Sequence, residues 1–425
     1  MSESRRHDSG GPRISGIARH GRLKKPKPWG ALVGIIAAVV AVALVSTGSV
    51  GAIAVASIYG NLSHGGNDGV KIADKPPVPP TIGAYPGGFN ILVVGSDTRI
   101  GQGGIGGSAE QTTSILNDVT MLLHVSADHT NATAISIPRD MIVPIAACAN
   151  GGGVQSPMNT ALYYGGSNDQ HPGAGLPCAV KTVEQLTGLP IQFAGLITFR
   201  GVVDVTDAIG GVQVCAAGPI NDKETGLHLT KGLHTIRGVQ ALAFLRSRHG
   251  VGDGSDLGRI SSQQVYLSAL VRKLKSNNTL SDIPTLYRIA NAATRNMELS
   301  EGLDSPDTIF ALAQALKNIP LSSVIFTQYP GSTSGTGIYA GKVQPLTGVA
   351  APLLALLKAD KPFTLAPVAN RGSVQGTAPK PSTSTSTSTP TPTSTSKPSH
   401  TKLPVVGGIQ GQPSSEYTCS KPYTP

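Results

Sequence analysis

The chain has 425 residues, of which 39% are hydrophobic and 14% charged, with a formal net charge of +10; that is enough apolar content for a sizeable core, but not along the whole length. The charge gathers at the start, where Arg5, Arg6, Arg13, Arg19, Arg22, Lys24, Lys25 and Lys27 face only Glu3 and Asp8, a net +6 of the +10. So little basic excess is left for the remainder that the charge does not argue for a nucleic-acid partner; a basic tail against anionic membrane lipid accounts for it.

From Ala31 to Tyr59 no residue is charged, a span long enough for a ~30 Å hydrocarbon core. The basic stretch before it is too long for the compact flank of a cleaved signal peptide. A retained transmembrane helix is therefore expected over 31–59, with residues 1–30 as a cytoplasmic tail and everything after Tyr59 exported. Residues 60–87, rich in Gly, Pro and Asn and containing PPVPP, read as an extended extracytoplasmic linker.

The globular part is expected over 88–368. Short apolar or β-branched runs at Asn90–Val94, Val119–Val125, Ala132–Ile137, Ala194–Phe199, Val212–Ala216, Ala243–Leu245 and Val324–Thr327 are of strand type. Helical spacing lies between them at Val180–Leu186, Gly201–Ile209 and Ile260–Lys275, and also at Val239–Leu245, where it competes with the strand reading. Strands alternating with helices predict a layered α/β/α domain around a central mixed sheet. Further helices are expected at Leu280–Met297, Pro306–Ile319 and Leu346–Lys358, either covering one face of the sheet as ordinary core or walling an apolar slot. Residues 369–403 then become a Ser/Thr/Pro tract that buries too little to fold and reads as a linker; 404–425 is a tail too short for a domain.

All four cysteines, Cys148, Cys178, Cys215 and Cys419, lie beyond the apolar span, and no CxxC or HExxH spacing supports zinc. Disulfides fit an exported domain. Cys148 and Cys178 bracket a Gly-rich loop and are expected to pair, leaving Cys215 for Cys419, which would tie the tail to the body.

Charged residues cluster at the ends of the expected strands, where α/β sheets build sites: Asp97 and Arg99 in VVGSDTR, Asp118 in NDVTMLL, Arg139 and Asp140 in SIPRD, Arg246 and Arg248 in FLRSR. GDGSDLGRISSQQ adds Arg259 and Gln263, at i and i+4 of a helix whose N-cap reads as Asp256. Arg259 would then stand in the first turn, against the positive end of the helix dipole; its anion is either Asp253 or Asp256, or a ligand. Several arginines present planar forks to phosphate oxygens, while aspartates approach a phosphate only through a cation such as Mg²⁺. The set fits phosphoryl transfer, although each Asp–Arg pair is equally a local ion pair at a strand end. No Walker A, GxGxxG or GxSxG motif accompanies it, and GQGGIGG at 101–107 reads as a mobile loop.

The ordered series NILVVGSDTR, NDVTMLLHVS, AISIPRDMIV, MNTALYYGG, TVEQLTG, VVDVTDAIGGVQV, GVQALAFLRSRHG and GDGSDLGRISSQQ resembles the LytR-CpsA-Psr family over roughly residues 88–275. The resemblance implies attachment of a glycopolymer from a polyprenyl pyrophosphate carrier to peptidoglycan, catalysed outside a cell membrane crossed once. It implies that Arg99, Arg139, Arg246, Arg248, Arg259 and Gln263 grip the pyrophosphate and that Asp97 and Asp118 hold Mg²⁺. Asp97 and Arg139 would act in catalysis, and the C-terminal helices would help to enclose the lipid. The alternative is a non-catalytic polyprenyl-lipid or cell-wall-binding module linked to envelope signalling. This chain departs from the family at Leu116 and Asn117, at Pro157 and at Ser262, where members usually carry cations, and a weaker grip on the diphosphate is expected from each.

Overall fold

The computed structural model describes residues 71–72, 84–99, 101–105, 115–168, 170–275, 288–289, 292, 295–303, 306–367, 372–377 and 403–424. All belong to the second of two compact units, Val55–Pro425. The expected tail, transmembrane helix and most of the 280–297 helix lie outside the described residues, among which no helix is long and apolar enough to cross a membrane.

Seven strands form the central sheet: β1 (Phe89–Ser96), β2 (Asn117–Val125), β3 (Ala132–Ile137), β4 (Phe193–Ile197), β7 (Met297–Leu299), β8 (Val324–Gln328) and β10 (Gly411–Pro413), in the order β7-β4-β1-β2-β3-β8-β10. The sheet is mixed: β1 runs parallel to β4 and antiparallel to β2, and β3 is antiparallel to β2 and parallel to β8. Alternation sorts its side chains between two faces. Leu92, Val94, Leu122, Ile135 and Ile137 pack with α1 (Leu176–Thr187) and α6 (Thr347–Lys358) through Val180, Val183, Leu353 and Leu357. Phe89, Val125, Ala132 and Ala134 pack instead with Ala311, Leu312 and Ala315 of α5 (Pro306–Lys317). The expected helices near 306–319 and 346–358 are thus core.

The ambiguous 239–245 stretch is helix α3 (Gly238–Arg246), not a strand: Ala241, Leu242 and Phe244 are buried, and its Ala- and Leu-rich interior lacks a β-branched run. Helix α2 (Phe199–Ala208) opens with Thr198 accepting from the Gly201 N–H, a side-chain cap. In α4 (Asp256–Lys275) the capping acceptor is Ser255 Oγ, which receives the Gly258 N–H at 3.2 Å, so the expected cap at Asp256 lies one residue too far along. This leaves the Asp256 carboxylate available for other partners.

A second, four-stranded sheet has the order β6 (Gly232–Ile236), β5 (Val212–Ala216), β11 (Thr418–Ser420), β9 (Ser373–Gln375). Two of these strands come from regions that composition reads as linker and tail. Both expected disulfides are present, Cys148–Cys178 and Cys215–Cys419. The second fastens β11 to β5, and Ser420 Oγ meets Ser262 Oγ of α4 at 2.6 Å in a fully buried contact.

Candidate functional site

The sheet topology brings the charged segments together. The C-terminal ends of β1, β3 and β4 and the N-terminal end of antiparallel β2 all lie along one edge of the sheet. At the end of β1 the register slips: Gly95 pairs with Val119 and Ser96 with Asn117, so Asp118 is the extra residue of a bulge on β2, out of the ladder at the mouth of the site. Gly95 allows a close approach there: a Cβ would stand 3.0 Å from that of Val119, which would have to give by a few tenths of an ångström.

A cavity of about 670 Å³ opens at this edge. Arg99, Arg139, Arg246, Arg248, Arg259, Gln263 and Asp118 all line it. Asp97 is not among the lining residues, although its neighbours in sequence, Ser96 and Arg99, are. The rest of the lining is largely apolar: Val93, Met121 and Ile197 from the sheet, Val202, Val205 and Ile209 from α2 and its end, Leu242 and Leu245 from α3, and Leu267 and Leu270 from α4. Among the described residues the two C-terminal helices contribute nothing to it, so the expected wall is made by α2, α3 and α4 instead. Those helices flank the strand ends, whereas α5 and α6 are spent on the two faces of the sheet.

The arginines are held apart by specific partners. Arg139 Nη1 pairs with Asp118 Oδ1 at 2.5 Å, and its Nε lies 3.7 Å from Asp140 Oδ2. Asp140 also faces Arg248 Nη2 at 3.6 Å and Lys342 Nζ at 3.8 Å, so one carboxylate balances three cations. Arg259, 5% exposed, pairs with Asp256 Oδ1 and donates from Nη2 to the Asp118 carbonyl at 3.0 Å. Asp256 Oδ2 accepts the Arg139 N–H at 3.0 Å. Of the alternatives open in the sequence, Asp256 is thus the protein's own anion for Arg259. Gln263 Nε2 donates to the Leu245 carbonyl, tying α4 to α3. Arg246 lies 4.4 Å over the Phe199 ring and Arg99 5.8 Å from it, a shared aromatic support for two like charges.

These pairings leave positive charge unspent. The Nε atoms of Arg99, Arg139, Arg248 and Arg259 are buried without a hydrogen-bond partner, an arrangement that costs stability unless an anion is to be bound. Burial and the neighbouring Arg99 make Arg246 less able to hold its proton than an ordinary arginine; burial and Arg139 do the same to Arg248. For Arg139, burial works in that direction too, but Asp118, Asp140 and Asp256 outweigh it. Asp97 is the converse case: burial, opposed by the Leu116 N–H donated to its Oδ1 at 2.8 Å and reinforced by Asp118, lifts its pKa from 3.8 to about 6. A raised acid thus lies next in sequence to a cavity crowded with desolvated cations, a concentration of perturbed charges in one place.

The family model described as LytR_cpsA_psr matches residues 62–349. The chain belongs to the LytR_cpsA_psr family. It is 30% identical over 305 residues to the cell wall biosynthesis protein LcpA of Corynebacterium glutamicum, covering 67% of this chain and 56% of that one. It is 26% identical over 344 residues to the polyisoprenyl-teichoic acid–peptidoglycan teichoic acid transferase TagT of Bacillus subtilis, covering 78% of this chain and 95% of that one. Protein gbs0355 of Streptococcus agalactiae shares the fold, with a TM-score of 0.50 at 24% identity over 64% of this chain and 88% of that one.

Within this LytR_cpsA_psr chain the departing positions fall outside the cavity lining. Asn117 is buried and bonds Thr120 Oγ1, the Met158 carbonyl and the Leu162 N–H. Leu116 exchanges its backbone groups with Asp97. Pro157 belongs to the hairpin that pairs with Ile142–Pro144. Ser262 points at Ser420, which admits the C-terminal segment against α4. The sequence singled out neither Phe199 nor Asp222, both of which line the cavity. An aromatic after a strand and an acid in a three-residue hairpin carry no motif, and only the tertiary contact gives them meaning.

Proposed function

We propose that this member of the LytR_cpsA_psr family is a phosphotransferase, anchored in the membrane by residues 31–59, that moves a glycopolymer from a polyprenyl pyrophosphate carrier to peptidoglycan. The observation that carries the reading is one cavity lined both by five arginines with Gln263 and by a set of aliphatic side chains, which suits a diphosphate joined to a polyprenyl chain. The similarity to TagT, named a polyisoprenyl-teichoic acid–peptidoglycan teichoic acid transferase, supports the same substrate class.

Arg99, Arg246, Arg248 and Arg259 receive the diphosphate oxygens; the Nε of Arg99, Arg248 and Arg259 has no hydrogen-bond partner within the protein. The acceptor hydroxyl of peptidoglycan attacks the sugar-proximal phosphorus. A phosphodiester forms, the bridging P–O bond breaks, polyprenyl phosphate leaves, and the hydroxyl proton is released. Arg139 is placed to meet charge on the leaving phosphate, because Asp118 and Asp140 fix its guanidinium from two sides. Two neighbouring carboxylates, one of them raised toward neutrality, form an oxygen donor set suited to Mg²⁺. No group of three or more His, Cys, Asp or Glu among the described residues completes a cage, so Asp97 and Asp118 would share the ion with the diphosphate. When bound, Mg²⁺ supplies neutralisation of the phosphate charge.

The test uses the full chain in detergent with a polyprenyl-pyrophosphate glycan and labelled peptidoglycan fragments. Label should join the glycan only when Mg²⁺ is present. Tight binding of the carrier without transfer would instead establish a non-catalytic lipid-binding module.

A further inference from the structure

A carboxylate lining an anion site opposes the ligand unless its charge is already spent. Asp222, 1% exposed, lines the arginine cavity and is such a group. Its Oδ2 accepts from Ser247 Oγ at 2.6 Å, the Arg248 N–H at 3.1 Å and the Gly250 N–H at 3.2 Å. Its Oδ1 accepts from the N–H groups of Glu224 and Thr225 at 3.0 and 3.3 Å. Five donors on one carboxylate, three of them from four consecutive residues, clamp the turn that leaves α3. That turn carries Arg248, whose guanidinium reaches Asp140 from the other side. The approach is close enough to demand glycine at 250, where a Cβ would stand 2.8 Å from that of Asp222 and 2.9 Å from Ser247 Oγ.

We propose that Asp222 is a positioning residue of the diphosphate site, which fixes the backbone of Ser247–Gly250 so that Arg248 presents its guanidinium to the ligand. The proposal rests on the pyrophosphate reading above. Asp222 touches no ligand; it acts through Arg248, and its own negative charge is cancelled by the donors it gathers. Ser247 shares the role through its hydroxyl, and Arg246 lies just outside the clamp, held by Phe199.

The experiment is a double-mutant cycle on the full chain, with inorganic pyrophosphate affinity read by calorimetry and melting temperature recorded for every variant. Asp222→Asn keeps the shape but turns a donor toward the Arg248 and Gly250 N–H groups, and should weaken pyrophosphate about tenfold. Arg248→Ala should weaken it about tenfold or more, and the double variant should be no weaker than Arg248→Ala within about twofold. Ser247→Ala, removing one donor, should give about a threefold loss that also disappears in the Arg248→Ala background, and it carries the cycle if Asp222→Asn does not fold. Losses that persist undiminished without Arg248 would overturn the positioning role and leave Asp222 a purely structural acid. If Arg248→Ala binds pyrophosphate as the wild type does, the diphosphate reading falls and the proposal with it; if Arg248→Ala weakens binding while Asp222→Asn and Ser247→Ala do not, only the proposal falls.

Discussion

Replacing Asp97 by Asn should make the metal-free protein more stable while removing its activity. The Asp97 carboxyl titrates near 6 instead of 3.8 because burial, aided by Asp118, outweighs the bond from the Leu116 N–H. An acid raised in the folded state holds a proton there at pH values where the unfolded chain has lost it, so stability falls as pH rises from about 4 to about 6 and is flat above. At 1.36 kcal/mol per pH unit the ionised group costs at most about 3 kcal/mol at neutral pH, and solvent access to a carboxylate that is not fully buried trims this to about 1–3 kcal/mol. Asparagine keeps the acceptor for Leu116 and removes the charge. Urea unfolding without divalent metal should therefore show Asp97→Asn ahead by that amount at pH 7.5, the gap narrowing to about a third by pH 4.5 and closing below 3.8. Mg²⁺ should raise wild-type stability at pH 7.5 and leave the variant unchanged, and transfer should be lost. A variant less stable than wild type at pH 7.5 would show that the ionised Asp97 stabilises the fold, and would refute the reasoning.

Arg259→Ala should lower both melting temperature and transfer, because it strips the nearly inaccessible Asp256 of its cation, a loss of about 3 kcal/mol, and removes a phosphate donor worth about 2–4 kcal/mol of barrier; Arg259→Lys should recover more of the first than the second, as thermal melts and transfer rates would reveal. Phe199→Leu takes the aromatic face from beneath Arg246 and Arg99 and should weaken pyrophosphate by about 1 kcal/mol in calorimetry, with a modest drop in the melt because Phe199 is buried against Val203 and Leu242. Replacing Cys148 and Cys178 by serine opens a loop of sequence separation 30 and should cost about 3 kcal/mol in denaturant unfolding; a free Cys148 thiol in non-reducing peptide mapping of the wild type would contradict the pairing.

What could be read in advance was the part that local chemistry decides. β3 and β5 are found at the residues expected, 132–137 and 212–216, because β-branched runs between turn residues leave little choice of boundary. Helix α1 begins at Leu176, four residues before its apolar periodicity, since Pro177 sits in the first turn where a missing N–H costs nothing. The arginines were visible as residue types at strand ends. Strands of three residues such as Met297–Leu299 and Gly411–Pro413 were not, because they have no periodicity of their own and exist only where an edge accepts them. The partner of Arg259 was equally undecidable from Asp253 and Asp256, until Ser255 took the cap and released Asp256.

Strand β11 enters the smaller sheet between β5 and β9 from 204 residues downstream of its disulfide partner. So distant a pairing makes the ladder slow to complete, and α4, which carries Arg259 and Gln263, lacks its Ser262–Ser420 contact until residue 420 has arrived. The same connection governs damage. A protease that cuts between residues 378 and 402 does not free the segment 403–424, because Cys215–Cys419 still binds it covalently. A nicked molecule would keep both sheets and its arginine cluster, and would separate into two pieces only on reduction.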